Sequence, residues 1–158
     1  MGGMAGHNQV VIFLLGEQRY GLALSSVVKA ARMVEITPLP NAPDIVLGVI
    51  NVRGKLTPVV SLRRRFHLPE REIALTDQIL VAHTQRRAVA LVTDAVVGVL
   101  AYADRQIVSV GEILSDVEHV EGVVILDDGL VLIHDLEKFL SLDETRVLDA
   151  AMSEAKPC

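Results

Sequence analysis

The chain has 158 residues, a net charge of −5, 51% hydrophobic but only 3% aromatic residues, and one cysteine, Cys158. The acidic balance excludes a nucleic-acid backbone as main partner, since that binding rests on clustered cations, and a lone cysteine excludes a disulfide framework or a cysteine-based metal site, as suits a reducing cytosol. A chain of this size buries roughly two-thirds of its unfolded surface, and with no Trp and few aromatics its core falls to Val, Ile, Leu and Ala, which pack well on pleated sheets.

Residues 1–8 read as a disordered N-terminus without the pattern of a secretory signal or a myristoylation site. Val10 to Leu15 and Tyr20 to Leu24, around Gly16-Glu17-Gln18-Arg19, read as a β-hairpin. Ser25 or Ser26 is placed to cap a short helix through Val27, Val28 and Ala31, and Met33 to Ile36 reads as a strand. Thr37 to Pro43 holds three prolines and reads as a stiff loop. Gly48 to Arg53, a turn at Gly54 and Leu56 to Val60 form a second hairpin, with Pro58 at an edge or irregular position. One helical turn over Leu62 to Phe66 and a loop over Pro69 to Ala74 complete the first half.

The second half repeats the first at an offset of about 70 residues. Ile79 to Val81 and Ala88 to Val92 form its hairpin, and Thr93-Asp94-Ala95-Val96 stands where Ser25-Ser26-Val27-Val28 stood. Gly122-Val123-Val124 echoes Gly48-Val49-Ile50, Asp127-Asp128-Gly129 supplies a turn, and Asp135-Leu136 with Phe139 matches Ser61-Leu62 with Phe66. Two short β-units suggest two small barrels, because closing a sheet removes its edges. Asp143 to Glu154 reads as a capping helix with an acidic first turn. No apolar run approaches the roughly 20 residues that span a bilayer.

Catalytic constellations are weak. His7, His67, His83, His119 and His134 do not pair at metal-ligand spacing, and no nucleophile elbow, phosphate loop or dinucleotide fingerprint occurs. His134, inside an apolar strand, reads as a core residue, and Arg63-Arg64-Arg65 as a solvated helical face rather than a nucleic-acid patch. Pro40-Asn41-Ala42-Pro43 reads as a rigid connector. Arg53, at a hairpin tip, suits an interface anchor, because its planar fork binds carboxylates in two places.

Four stretches give the chain a resemblance to the CheW family, the chemotaxis coupling proteins. They are Phe13-Leu14-Leu15-Gly16 through Tyr20-Gly21-Leu22, Ile36 to Pro43, Gly48-Val49-Ile50-Asn51-Val52-Arg53-Gly54, and Pro58-Val59-Val60-Ser61-Leu62 through Phe66. Leu91-Val92-Thr93-Asp94 and Asp135-Leu136-Glu137-Lys138 match more loosely. The resemblance implies a mainly β fold of two SH3-like five-stranded barrels sharing a hydrophobic core, with short helices and a C-terminal helix. It implies one domain over residues 9–158, with subdomains of about 9–75 and 76–140 and a helix of about 143–154.

The implied function is that of a cytoplasmic, non-catalytic adaptor, recruited to receptor arrays, without cofactor or metal. Its implied partners are the regulatory domain of a chemotaxis histidine kinase, through Val52, Arg53 and Lys55, and the cytoplasmic tip of chemoreceptors, through Val27, Val28, Lys29, Val99 and Leu100. Neither nucleic acid nor membrane insertion is expected. Lys29 stands where many family members carry an acid and Ser61 where they commonly carry Asp, which bears on partner choice. The alternatives are a scaffold of a pilus-type or other chemosensory pathway and, more distantly, a small-molecule-binding barrel.

Overall fold

Val10-Val11-Ile12-Phe13 is continuously apolar because its strand is buried on both faces, between two different cores. The computed structural model describes residues 8–109 and 120–155. The expected disordered stretch therefore lies outside the described residues except for Asn8, which opens the first strand. In chain order the strands are β1 (Asn8–Leu15), β2 (Gln18–Ala23), β3 (Val27–Arg32), β4 (Val46–Val52), β5 (Lys55–Val60), β6 (Gln78–His83), β7 (Ala88–Thr93), β8 (Ala95–Tyr102), β9 (Ile107–Ser109), β10 (Val120–Leu126) and β11 (Gly129–His134). Helix α1 (Leu62–Arg65) follows β5, and α2 (Leu142–Ala155) follows β11.

The strands form a six-stranded sheet, β8-β1-β2-β11-β10-β9, and a five-stranded sheet, β3-β6-β7-β5-β4. The fold is mainly β, as expected, with one strand more than two five-stranded units. The strand sets cross the boundary near residue 75. Each sheet combines the opening hairpin of one repeat with the later strands of the other: β1-β2 sits with β8 to β11, and β6-β7 with β3 to β5. The joints are equivalent, since β2 runs parallel to β11 and β7 parallel to β5. Neither repeat completes a sheet without the other's hairpin.

Three cores follow. Val10, Ile12, Val124, Val131 and Ile133 fill the interior of the six-stranded sheet, and Ile50, Val59, Ile79, Val81 and Ala90 that of the five-stranded one. Between them runs a larger shared core, with Val11, Phe13 and Leu22 from one sheet meeting Leu80, Ala82 and Leu91 from the other. The aromatics concentrate here. Phe66 stacks on His134 at 4.3 Å and on Tyr20 at 5.2 Å, and Phe13 and Phe139 border them. His134 is a buried core residue, as its apolar strand suggested.

Two local expectations need correction. Val27 and Val28 lie on β3 rather than on a helix, and the only helical element there is a single 3₁₀ turn over Leu24–Ser26. β-Branched valines favour the pleated conformation once β6 offers a ladder. The strand expected over Met33 to Ile36 ends instead at Arg32, and the chain rejoins the sheet only at Thr37, which bridges Val49. Pro58 lies in β5 just before that strand joins β7 at Val59. Ser61 caps α1 by accepting from the Arg64 N–H at 3.2 Å, and Asp135 caps the equivalent 3₁₀ turn. Serine in place of aspartate at this position thus keeps the cap.

Helix α2 begins with a capping box, Ser141 Oγ accepting from the Glu144 N–H and the Glu144 carboxylate from the Ser141 N–H. It buries Leu148 and Ala151 in the shared core.

Candidate functional site

The edge strands β3 and β8 are equivalent in the two repeats, and both carry a β-bulge at the same place. On β3 the register against β6 slips between Val27 and Lys29, leaving Val28 as the extra residue. On β8 the register against β1 slips between Val96 and Gly98, leaving Val97. A bulge re-aims its side chain out of the ladder, and Val28 and Val97 are 58% and 59% exposed. Val99, at 57%, extends the surface along β8, with Ala30 and Ala101 exposed on the two strands. Gln78 touches the end of one edge and the start of the other: its backbone pairs with Arg32, the last residue of β3, and its side-chain Oε1 accepts from the Val96 N–H near the start of β8 at 2.6 Å.

The structure thus divides the candidate receptor-binding residues. Val28 and Val99 are surface residues. Val27 packs on the shared core and Leu100 on the six-stranded core, both half-buried, and Lys29 is half-buried on β3. Sequence reasoning missed Val97: the repeat alignment set Val28 against Val96, one residue short of the bulge.

The β4–β5 hairpin builds a second feature. Val52 pairs with Lys55 across a two-residue turn, and both turn residues have positive φ, 51° at Arg53 and 85° at Gly54. That turn matches the right-handed twist of the strands, and the Asn51 side chain fixes it by accepting from the Gly54 N–H at 2.6 Å. Arg53 and Lys55 are exposed and make no ion pair among the described residues, with Leu56 beside them 39% exposed. Val52 instead packs half-buried on the five-stranded core.

Of Arg63-Arg64-Arg65 only Arg64 is exposed as a solvated face requires, and Arg63 and Arg65 are half-buried. Arg63 reaches Asp94 at 2.8 Å, Arg64 reaches Glu70 at 2.7 Å, and Arg65 pairs with Glu144 on α2. Glu70 is six residues away, but Asp94 and Glu144 are distant in sequence, so the run alone did not show them. Asp94, just ahead of β8, also accepts from the Gly16 N–H at 2.6 Å and from Arg71, which holds Asp77 as well. Burial pushes the Asp94 carboxyl up, but the hydrogen bonds from Arg63, Gly16 and Arg71 outweigh it and hold it below the usual range.

Glu144 and Asp149 behave alike. Burial raises each, while the Ser141 N–H and Arg65 lower Glu144, and Arg86 and Arg87 lower Asp149. Carboxyls depressed in the folded state stabilise it fully above their unfolded values of about 3.9–4.3 and lose that contribution as pH falls through the folded ones. Melting temperatures measured across pH should therefore be flat down to about pH 5 and decline below about pH 4.

Among the described residues no cluster of His, Cys, Asp or Glu is arranged to hold a metal ion, and no helix is long and apolar enough to cross a membrane.

The profile of the CheW-like domain matches residues 9–144. The chain is 30% identical over 141 residues to the chemotaxis protein CheW of Rhizobium meliloti, covering 88% of this chain and 91% of that one. It is 27% identical to the CheW of Treponema pallidum, over 89% and 86% of the two chains. The crystal structure of the scaffolding protein TtCheW from Thermoanaerobacter tengcongensis superposes with a TM-score of 0.79 at 29% identity, over 87% of this chain and 95% of that one.

Proposed function

The chain belongs to the CheW-like domain family and is a non-catalytic adaptor of chemotaxis signalling, and we propose that it works by holding two partners on two separate surfaces. The receptor surface is the pair of bulged edges, with Val28, Val97 and Val99 in contact and Val27, Lys29 and Leu100 supporting them from β3 and β8. The kinase surface is the β4–β5 tip, with Arg53 and Lys55 in contact and Val52 holding the strand end. The observation that carries this reading is the matched pair of exposed valine bulges. Exposed valines recur at the equivalent bulge of each repeat, which a random scatter of surface apolar residues does not produce.

The proposed partners are the cytoplasmic tip of a chemoreceptor and the regulatory domain of a chemotaxis histidine kinase, and the proposed place of action is the cytoplasm beneath a receptor array. Residues 9–158 act as one domain, a reading supported by each sheet drawing strands from both repeats. The two surfaces fix receptor and kinase in one relative geometry, so a receptor's conformational bias reaches the kinase through rigid sheets.

Titration of the purified protein against a chemosensory kinase regulatory domain tests the second surface. Arg53→Glu should weaken binding about tenfold or more while moving the melting temperature by less than about 2 °C, because the side chain is exposed and unpaired. Unaltered binding by Arg53→Glu would remove the hairpin tip from the interface.

A further inference from the structure

Resting on the adaptor reading above, a cleft beside the β4–β5 tip bears on what the kinase brings to it. The β4–β5 hairpin with Lys55 and Leu56, the β6–β7 turn with Arg86 and Arg87, and α2 with Asp149 and Met152 line a hollow of about 750 Å3. Ligand clefts run to about 300–1,000 Å3, so this one has room for several side chains of a partner.

Among the described residues lining it, three cations face one carboxylate, in a chain with 20 acidic and 15 basic residues. Asp149 is shared, its Oδ2 accepting from Arg86 at 2.6 Å and its Oδ1 from Arg87. That contact engages only part of the five-donor fork of Arg86, whose side chain stays 64% exposed. Lys55 is exposed and makes no ion pair among the described residues. Glu154, the next acid along α2, is hydrogen-bonded to Asn41. Leu56, 39% exposed, and Met152, half-buried against the shared core, add an apolar wall, and a methionine adapts to the shape it meets.

We infer that the cleft takes a short acidic segment of the kinase held at the tip, with one apolar side chain on Leu56 and Met152 and carboxylates on Lys55 and Arg86. Lys55 belongs to both the tip and the cleft, which makes the two surfaces continuous. The pairs of Arg86 and Arg87 with Asp149 also tie α2 to the β6–β7 turn, and an anchoring role alone would make Arg86 and Asp149 equivalent.

The test titrates a chemosensory kinase regulatory domain against Arg86→Gln and Asp149→Asn, with the melting temperature of each variant followed. Both substitutions break the same ion pair, but the first removes a cation from the cleft and the second a carboxylate. Arg86→Gln should weaken binding about threefold and make it less sensitive to salt, and Asp149→Asn should tighten binding about threefold. Weakening by both would assign these residues to anchoring α2 and overturn the acidic occupant. No effect from either, while Arg53→Glu still weakens binding, would remove the cleft from the interface and keep the kinase at the tip. Absence of binding by the wild-type protein would overturn the kinase surface itself, and the cleft with it.

Discussion

Replacing Gly48 by alanine is expected to lower the melting temperature by about 10 °C and to reduce the urea midpoint without changing the slope. Gly48 has φ of 153°, a conformation L side chains rarely adopt. A Cβ there would overlap the Thr37 carbonyl oxygen and lie 2.8 Å from Ile36 Cγ2. That carbonyl accepts from the Val49 N–H at 2.7 Å, and the Thr37 N–H donates to Val49 O at 2.9 Å. The methyl group must push the segment off β4 and break this two-bond bridge. Losing two hydrogen bonds and repacking Val49, which is buried in the shared core, costs about 3–4 kcal/mol.

Gly54, six residues on, is the control. A Cβ there meets nothing within 4 Å, so Gly54→Ala carries only the strain of its positive φ, about 1 kcal/mol. Differential scanning calorimetry of both variants separates the two causes. Equal losses would mean that backbone strain alone explains Gly48, and the contact with Thr37 would carry no weight.

The same motif shows what the sequence can and cannot reveal. Apolar runs and turn residues were enough to find both hairpins of the first repeat, and the repeat itself located their counterparts. The exchange of opening hairpins was not legible. A run such as Val10 to Phe13 reports burial on both faces but not which strands lie beside it, and the parallel joints of β2 with β11 and β7 with β5 leave no local signature.

Val27 and Val28 were misplaced for a different reason. Three apolar residues at helical spacing cannot outweigh a neighbouring strand that supplies a ladder, and local propensity is a weak prior against tertiary pairing. Arg53 was found correctly at its tip because a two-residue turn fixes its neighbours. Arg63 and Arg65 were misread because charge in a sequence carries no information about acids far along the chain, here Asp94 and Glu144, and those acids decide whether a cation faces water or a partner.

Asp94→Ala is the second large effect, expected to cost about 3 kcal/mol, or roughly 6–12 °C in melting temperature for a chain of this size. The Arg63 and Asp94 side chains are only 19% and 23% exposed, so removing the carboxylate leaves a largely desolvated guanidinium unpaired. It also removes the acceptor of the Gly16 N–H, which ties the β1–β2 turn to the start of β8. Arg71 suffers less, since it keeps Asp77 at 2.7 Å. Asp94→Asn retains an acceptor for Gly16 while dropping the charge, and should recover part of the loss. If Arg63→Met is combined with Asp94→Ala, the second substitution should cost less than it does alone, because the unpaired cation is gone. Both Asp94 variants should also show a shallower fall in melting temperature between pH 5 and pH 3 than the wild-type chain. Fully additive losses in the double variant would place the weight of Asp94 on Gly16 and the turn rather than on the arginine.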